Sequence, residues 1–184
     1  MSAGAAGEPA PVGPGAEAFK AVLGRFATGV TVVTATTVEG PVGFTCQAFT
    51  SLSLQPPLVA LAPAKGSTSW PRIAQAGAFC VNVLAAGQEE LCRRFATPAE
   101  PPSAKFDGVA FERAPSGAPL LGSVLAWVDC RLVVVHDAGD HELVVGEVRA
   151  LGVGQGEPLL YYRGRFGRFL AAEGEPPGPL GPSD

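Results

Sequence analysis

Both histidines of the chain fall within six residues, His136-Asp137-Ala138-Gly139-Asp140-His141. Two imidazoles flanking two carboxylates could begin a metal site, and His136 with Asp140 fits the HxxxD spacing of acyl transfer. A metal site needs three or four converging ligands, however, and turn residues commonly point to solvent. The stretch therefore reads either as a solvated hairpin tip or as the place of one substrate-contacting histidine, and no metal is expected. A second group, Lys65-Gly66-Ser67-Thr68-Ser69, brings hydroxyls, a flexible glycine, free backbone N–H groups and one cation to the start of a helix. That combination suits an anion such as a phosphate, although a well-capped helix start uses the same residues. Arg163-Gly164-Arg165-Phe166-Gly167-Arg168 could neutralise a phosphate or form a solvated basic edge. Gly152-x-Gly154-x-Gly156 has the glycine spacing of a dinucleotide loop, but Glu157-Pro158-Leu159-Leu160-Tyr161-Tyr162 follows it where such a loop needs a helix. It is expected to be a turn. No phosphate-binding Walker loop and no GxSxG elbow occurs.

The elements that must position these residues follow from periodicity. Phe19, Val22, Leu23 and Phe26 fall at i, i+3, i+4 and i+7, which predicts a helix from about Glu17, ended by Gly29. Val30–Val38, Val42 to about Ser53, and Leu58–Ala62 read as strands, separated by Glu39-Gly40-Pro41 and by Pro56-Pro57. Ser67-Thr68-Ser69-Trp70-Pro71 starts a helix that Gly77 stops, because hydroxyls cap and proline suits the first turn. Phe79–Leu84 is a strand. Gln88–Phe95 is a helix, with Glu89 and Glu90 near its start and Arg93 and Arg94 near its end, as the helix dipole favours. Residues Thr97–Gly122 form a long, proline-punctuated connection. Val124–Val135 and Leu143–Leu151 form a hairpin about a turn at Asp137–Asp140, and Pro158–Tyr162 is a last strand. Six or more strands, three helices and no strand–helix alternation predict a mainly β chain: an antiparallel barrel with peripheral helices.

Composition bounds the function. The chain has 184 residues, 47% hydrophobic and 16% charged, with mean hydropathy +0.25, enough for one sizeable core. Residues 1–16 and 172–184 are rich in Gly and Pro and carry the whole formal charge of −4 through Glu8, Glu173, Glu175 and Asp184. They are expected to be disordered tails around a neutral domain at 17–171. A neutral body without a basic tract argues against nucleic acid. No apolar run approaches the length of a membrane span, and no basic residue or apolar stretch near the N-terminus suggests export. Cys46, Cys80, Cys92 and Cys130 show no paired or metal-finger spacing, so buried free thiols in a cytoplasmic protein are expected.

Several segments, in order, resemble one family. They are Ala27-Thr28-Gly29-Val30-Thr31-Val32-Val33-Thr34, then the run Gly43-Phe44-Thr45-Cys46-Gln47-Ala48-Phe49-Thr50-Ser51 continuing to Val59. Next come Ser67-Thr68-Ser69-Trp70, Phe79-Cys80-Val81-Asn82-Val83-Leu84, Lys105-Phe106-Asp107, Gly139-Asp140-His141 and Pro158-Leu159-Leu160-Tyr161-Tyr162-Arg163-Gly164. Over about residues 17–169 the chain resembles the short-chain flavin reductases, the reductase components of two-component flavin-dependent monooxygenases. The resemblance implies an antiparallel split β-barrel of the FMN-binding type and a homodimer with flavin near the subunit interface. It also implies hydride transfer from NADH or NADPH to FMN or FAD, with release of reduced flavin to a partner monooxygenase. By the same resemblance, Thr45, Cys46, Gln47, Ala48, Phe49, Thr50 and Ser51 would line the isoalloxazine. Ser67, Thr68 and Ser69, with Lys65 nearby, would hold the phosphate; Asn82 would sit beside that site, and His141 near the nicotinamide. Cys46 and Gln47 stand where the family usually carries small residues, which leaves the flavin preference open.

Hydride chemistry belongs to the cofactors, so such a protein needs a shaped slot and a phosphate anchor but no nucleophile. The same economy leaves a second reading open: a non-catalytic flavin carrier or redox sensor on the same barrel.

Overall fold

The computed structural model describes residues 15–170, so the expected tails lie almost wholly outside the described residues. Three helices, one 3-10 turn and twelve strands run in the order α1 (Ala16–Leu23), β1 (Thr28–Gly29), β2 (Thr31–Thr37), β3 (Gly40–Cys46), β4 (Phe49–Leu54), β5 (Pro57–Leu61), α2 (Trp70–Ala76), β6 (Ala78–Val83) and α3 (Glu89–Ala96). The 3-10 turn (Pro102–Phe106) follows, then β7 (Phe111–Arg113), β8 (Pro119–Leu121), β9 (Ala126–Ala138), β10 (His141–Val153), β11 (Leu160–Tyr162) and β12 (Arg165–Gly167). The chain is thus mainly β, with antiparallel pairing throughout the named ladders.

Seven strands form the main sheet, in the order β3-β2-β6-β9-β10-β5-β4. Its two edge strands are consecutive in sequence, and only Gln47 and Ala48 separate them. Laid flat, six strand spacings would part those edges by roughly 29 Å. The three Cα steps from Cys46 to Phe49 reach at most roughly 11 Å. The sheet must therefore curl until its edges meet at that corner, where β3 and β4 are not paired. One core cluster confirms the curl. It draws Val33 from β2, Phe44 from β3, Leu61 from β5, Phe79 from β6, Cys130 from β9 and Val144 from β10, with Phe49 of β4 packed against it. Trp70 and Ile73 of α2 enter the same core, where each large side chain contributes roughly 1.5–3 kcal/mol by its burial.

Four expectations need correction. The helix expected from Glu17 to Gly29 stops at Leu23 with Gly24 as its C-cap, so Phe26 lies beyond it and Gly29 belongs to β1. The strand expected from Val42 to Ser53 is two strands, because the chain turns this corner at Gln47-Ala48. The hairpin turn is shorter than Asp137–Asp140, since β9 and β10 pair up to Ala138 and His141. The glycine run is only partly a turn: Gly152 lies within β10. A Cβ on Gly152 would meet Trp127 Nε1 at 2.5 Å, and one on Gly154 would overlap the Val124 carbonyl oxygen. Only Gly156 needs positive φ, at 124°. Two of these glycines exist for close packing.

Candidate functional site

The corner at Gln47-Ala48 opens onto a cavity of about 1110 Å³, just above the usual range for small-molecule sites. Four segments far apart in sequence meet there. The end of β3 supplies Thr45 and Cys46, the loop after β5 supplies Gly66, Ser67 and Thr68, α3 supplies Cys92 and Arg93, and the β11–β12 hairpin supplies Tyr161, Arg165 and Phe166. Lys105 from the 3-10 turn and His141 from the start of β10 complete the wall.

Local contacts explain how each arrives. Thr45 Oγ1 donates to the Cys92 carbonyl at 2.6 Å, fixing β3 to α3. The loop after β5 is tied to β10: the Lys65 N–H donates to the Asp140 carbonyl at 2.9 Å and the Glu142 N–H to the Pro63 carbonyl at 3.0 Å. Those two bonds bracket His141 and set it opposite Ala64. Arg93 lies over the Phe166 ring at 4.8 Å, and Tyr161 meets the same ring edge-on at 5.3 Å, so the C-terminal hairpin is clamped to α3.

The wall is cationic. Arg93, Lys105, Arg165 and His141 line it, and no carboxylate does among the described residues. Lys105 is only 5% exposed, and burial pulls its pKa below the usual lysine value. Burial pushes the Cys46 thiol up to about 11 and also raises that of Cys92, so neither is a ready thiolate at neutral pH. The N–H groups of Gln47 and Ala48 donate to no backbone acceptor among the described residues, and both residues are on the wall. The chemistry on offer is recognition of an anionic, hydrogen-bonding, partly apolar ligand.

Of the residues expected at the site, Thr45, Cys46, Gln47, Ala48, Ser67, Thr68 and His141 share this cavity. Phe49 and Thr50 line a second, mostly apolar cavity of about 750 Å³, which Gln47 and Ala48 border as well. Four expected residues are on neither wall. Ser51 lies farther along β4, opposite Val59. Lys65 turns away, paired with Asp137. Ser69 is buried, and its hydroxyl donates to the Gly43 carbonyl at 2.9 Å. Asn82 is fully buried, donating to the Val32 carbonyl and Thr34 Oγ1 at 3.1 Å each and accepting from the Leu121 N–H at 2.9 Å. Its amide holds strands together, beyond reach of a ligand. His136 pairs across the ladder with Leu143 and does not reach the cavity. Among the described residues no three His, Cys, Asp or Glu side chains gather as a metal set, and no helix is long and apolar enough to cross a membrane.

Residue types alone did not single out Arg93, Lys105 or Tyr161. The Arg163–Arg168 stretch, read from its three charges as able to neutralise a phosphate, does bring Arg165 and Phe166 to the wall.

The sequence model of the flavin reductase like domain matches residues 23–170. A flavin reductase of Pseudomonas putida is 48% identical over 155 residues, covering 83% of this chain and 89% of the relative. HsaB of Rhodococcus jostii, the reductase subunit of a flavin-dependent monooxygenase, is 47% identical over 149 residues, covering 80% and 75%. Among solved structures, the NADH:FAD oxidoreductase SgcE6 of Streptomyces globisporus superposes with a TM-score of 0.82 at 37% identity, covering 89% of this chain and 99% of that one.

Proposed function

Because this chain belongs to the flavin reductase-like family, we propose that it oxidises NADH or NADPH, reduces FMN or FAD by hydride transfer, and releases the reduced flavin to a separate flavin-dependent monooxygenase. The observation that carries the reading is a cofactor-sized cavity whose wall holds Arg93, Arg165, Lys105 and His141 and, among the described residues, no carboxylate. Phosphorylated flavins and nicotinamide dinucleotides are the anionic, aromatic ligands such a wall suits.

The residues present fit a flavin. The N–H groups of Gln47 and Ala48, which donate to no backbone acceptor among the described residues, offer donors to the polar edge of a planar ring, and Phe44, Cys46 and Ala62 give it apolar contact. Ser67 and Thr68 hold the phosphate end. A bound flavin supplies the redox chemistry, as acceptor of a hydride from the nicotinamide. The chain's own work is to hold both ligands against each other and to keep their charges matched. His141, at the rim where β10 begins, orients or charge-balances the nicotinamide; it moves no hydride. The open wall suits a flavin that enters and leaves as substrate and product.

The curled seven-stranded sheet, with its edges meeting unpaired at one corner, supports a split barrel of the FMN-binding type. The chain works as a homodimer. Phe19, Val22 and Leu23 of α1, with Phe26 just beyond it, are apolar and each more than half exposed among the described residues, and Leu23 and Phe26 also line the second cavity. The four thiols, all free and buried, suit the reducing cytoplasm.

Purified protein with NADH or NADPH, assayed with FMN, FAD or no flavin, tests the function. Nicotinamide oxidation that depends on added flavin and continues for many turnovers is the expected result. Tight flavin retention without turnover would replace it with the carrier or sensor.

A further inference from the structure

Lys105 is a buried ammonium without a carboxylate partner among the described residues. Its Nζ donates to two main-chain oxygens, those of Gly43 at 3.2 Å and Phe95 at 3.1 Å. An ammonium has three N–H bonds, so one is left, and the residue is on the wall of the large cavity. The Gly43 oxygen also accepts from Ser69 Oγ at 2.9 Å. Two donors on one oxygen are close neighbours, so the ammonium is next to Ser69, and Ser69 directly follows Ser67 and Thr68 on the cavity wall. The cation nearest in sequence, Lys65, is turned toward Asp137 instead. A charge kept out of water without a counter-ion is costly, and an anionic occupant relieves that cost.

We propose that Lys105 is the cation that grips the phosphate of the bound flavin, from behind the Ser67–Thr68 wall. This inference rests on the flavin reductase reading. The ammonium is held in place by two backbone carbonyls before any ligand arrives, so little side-chain freedom is lost on binding. Arg93, in contrast, is occupied with the Phe166 ring.

The test compares FMN with riboflavin, the same ring without the phosphate, by fluorescence titration of the full chain. Wild-type protein is expected to bind FMN at least about tenfold tighter than riboflavin, the size of one charge-assisted contact. Lys105→Met is expected to weaken FMN about tenfold or more, leave riboflavin within about twofold, and so erase the preference. Equal weakening of both flavins, or a preserved preference, overturns the proposal and leaves Lys105 as a pin between Gly43 and Phe95. Circular dichroism checks the fold, with Lys105→Gln as the second variant. Should neither variant fold, a wild-type preference near one overturns the proposal, and a large preference that shrinks as salt rises upholds it. Failure of the underlying reading looks different: wild-type protein would then bind neither flavin and show no flavin-dependent NADH oxidation.

Discussion

The Asp140 carboxylate and the His141 imidazole lie 2.7 Å apart, from Oδ1 to Nδ1. The imidazole holds the carboxyl below its usual range, first through the hydrogen bond and then through its charge, so the carboxylate is ionised and can only accept. Nδ1 therefore carries the proton, and Nε2 is the nitrogen available to a ligand. His141→Ala is expected to raise the KM for NADH about tenfold while leaving the flavin Kd within about twofold. Asp140→Asn, which frees the ring, is expected to act in the same direction but less. Steady-state kinetics with each substrate varied in turn check both, and an unchanged KM for NADH would remove His141 from the site.

Asn82 separates structural from binding roles. Asn82→Ala leaves the Leu121 N–H without its acceptor in the core, and each stranded buried group costs about 1–3 kcal/mol. Denaturant unfolding is expected to show a loss of about 2 kcal/mol or more, while the folded fraction titrates with flavin as the wild type does.

Ser67→Ala with Ser69→Ala tests the hydroxyl wall and divides in the same way. The Ser67 part removes a group on the cavity and is expected to weaken FMN several-fold; the Ser69 part strips a donor from Gly43 and is expected to lower stability by about 1 kcal/mol. The two single variants, titrated and unfolded separately, check the division.

Gly154→Ala is expected to destabilise by about 3 kcal/mol or more, because the new methyl would lie on a main-chain oxygen that cannot move aside. Gly167→Ala, with nothing within 4 Å of its new Cβ, is the control, and thermal melts of the pair compare them.

The thiols fix an alkaline limit. Burial pushes Cys46 up to about 11 and Cys80 and Cys130 up to about 12, from 9.0. Between pH 9 and 12 the unfolded chain has lost protons that the folded chain keeps, so unfolding releases protons and stability falls as pH rises. Below pH 9 these groups cause no change. Melting temperature is expected to decline steadily above pH 9, and a thiol reagent at pH 8 is expected to find no fast-reacting cysteine until the protein is unfolded.

Much of the fold was legible in the sequence because it rests on local preferences. The β-branched run from Val30 to Val38 became β2, the charge-ordered QEELCRRF segment became α3, and the glycine turn of the long hairpin lies between β9 and β10. The break of the expected 42–53 strand was not legible. Nothing in Gln47-Ala48 marks a corner, since it is imposed by a sheet that must bring its two edges together. The candidate site divides along the same line. Residues adjacent in sequence reach the cavity together: Ser67 and Thr68 were expected there from their types, and Thr45 to Ala48 through the family resemblance.

Which neighbours face the ligand was a tertiary decision. The central place of β6 in the sheet, buried on both faces, and the shared oxygen of Gly43 turned Asn82 and Ser69 into the core, and an ion pair drew Lys65 aside. A 3-10 turn then brought Lys105 to the place those hydroxyls adjoin. Sequence determined what each segment could become, because propensity and hydrophobic period act over a few residues. Only the curled sheet decided which side chains share one cavity, because that depends on contacts between residues tens of positions apart.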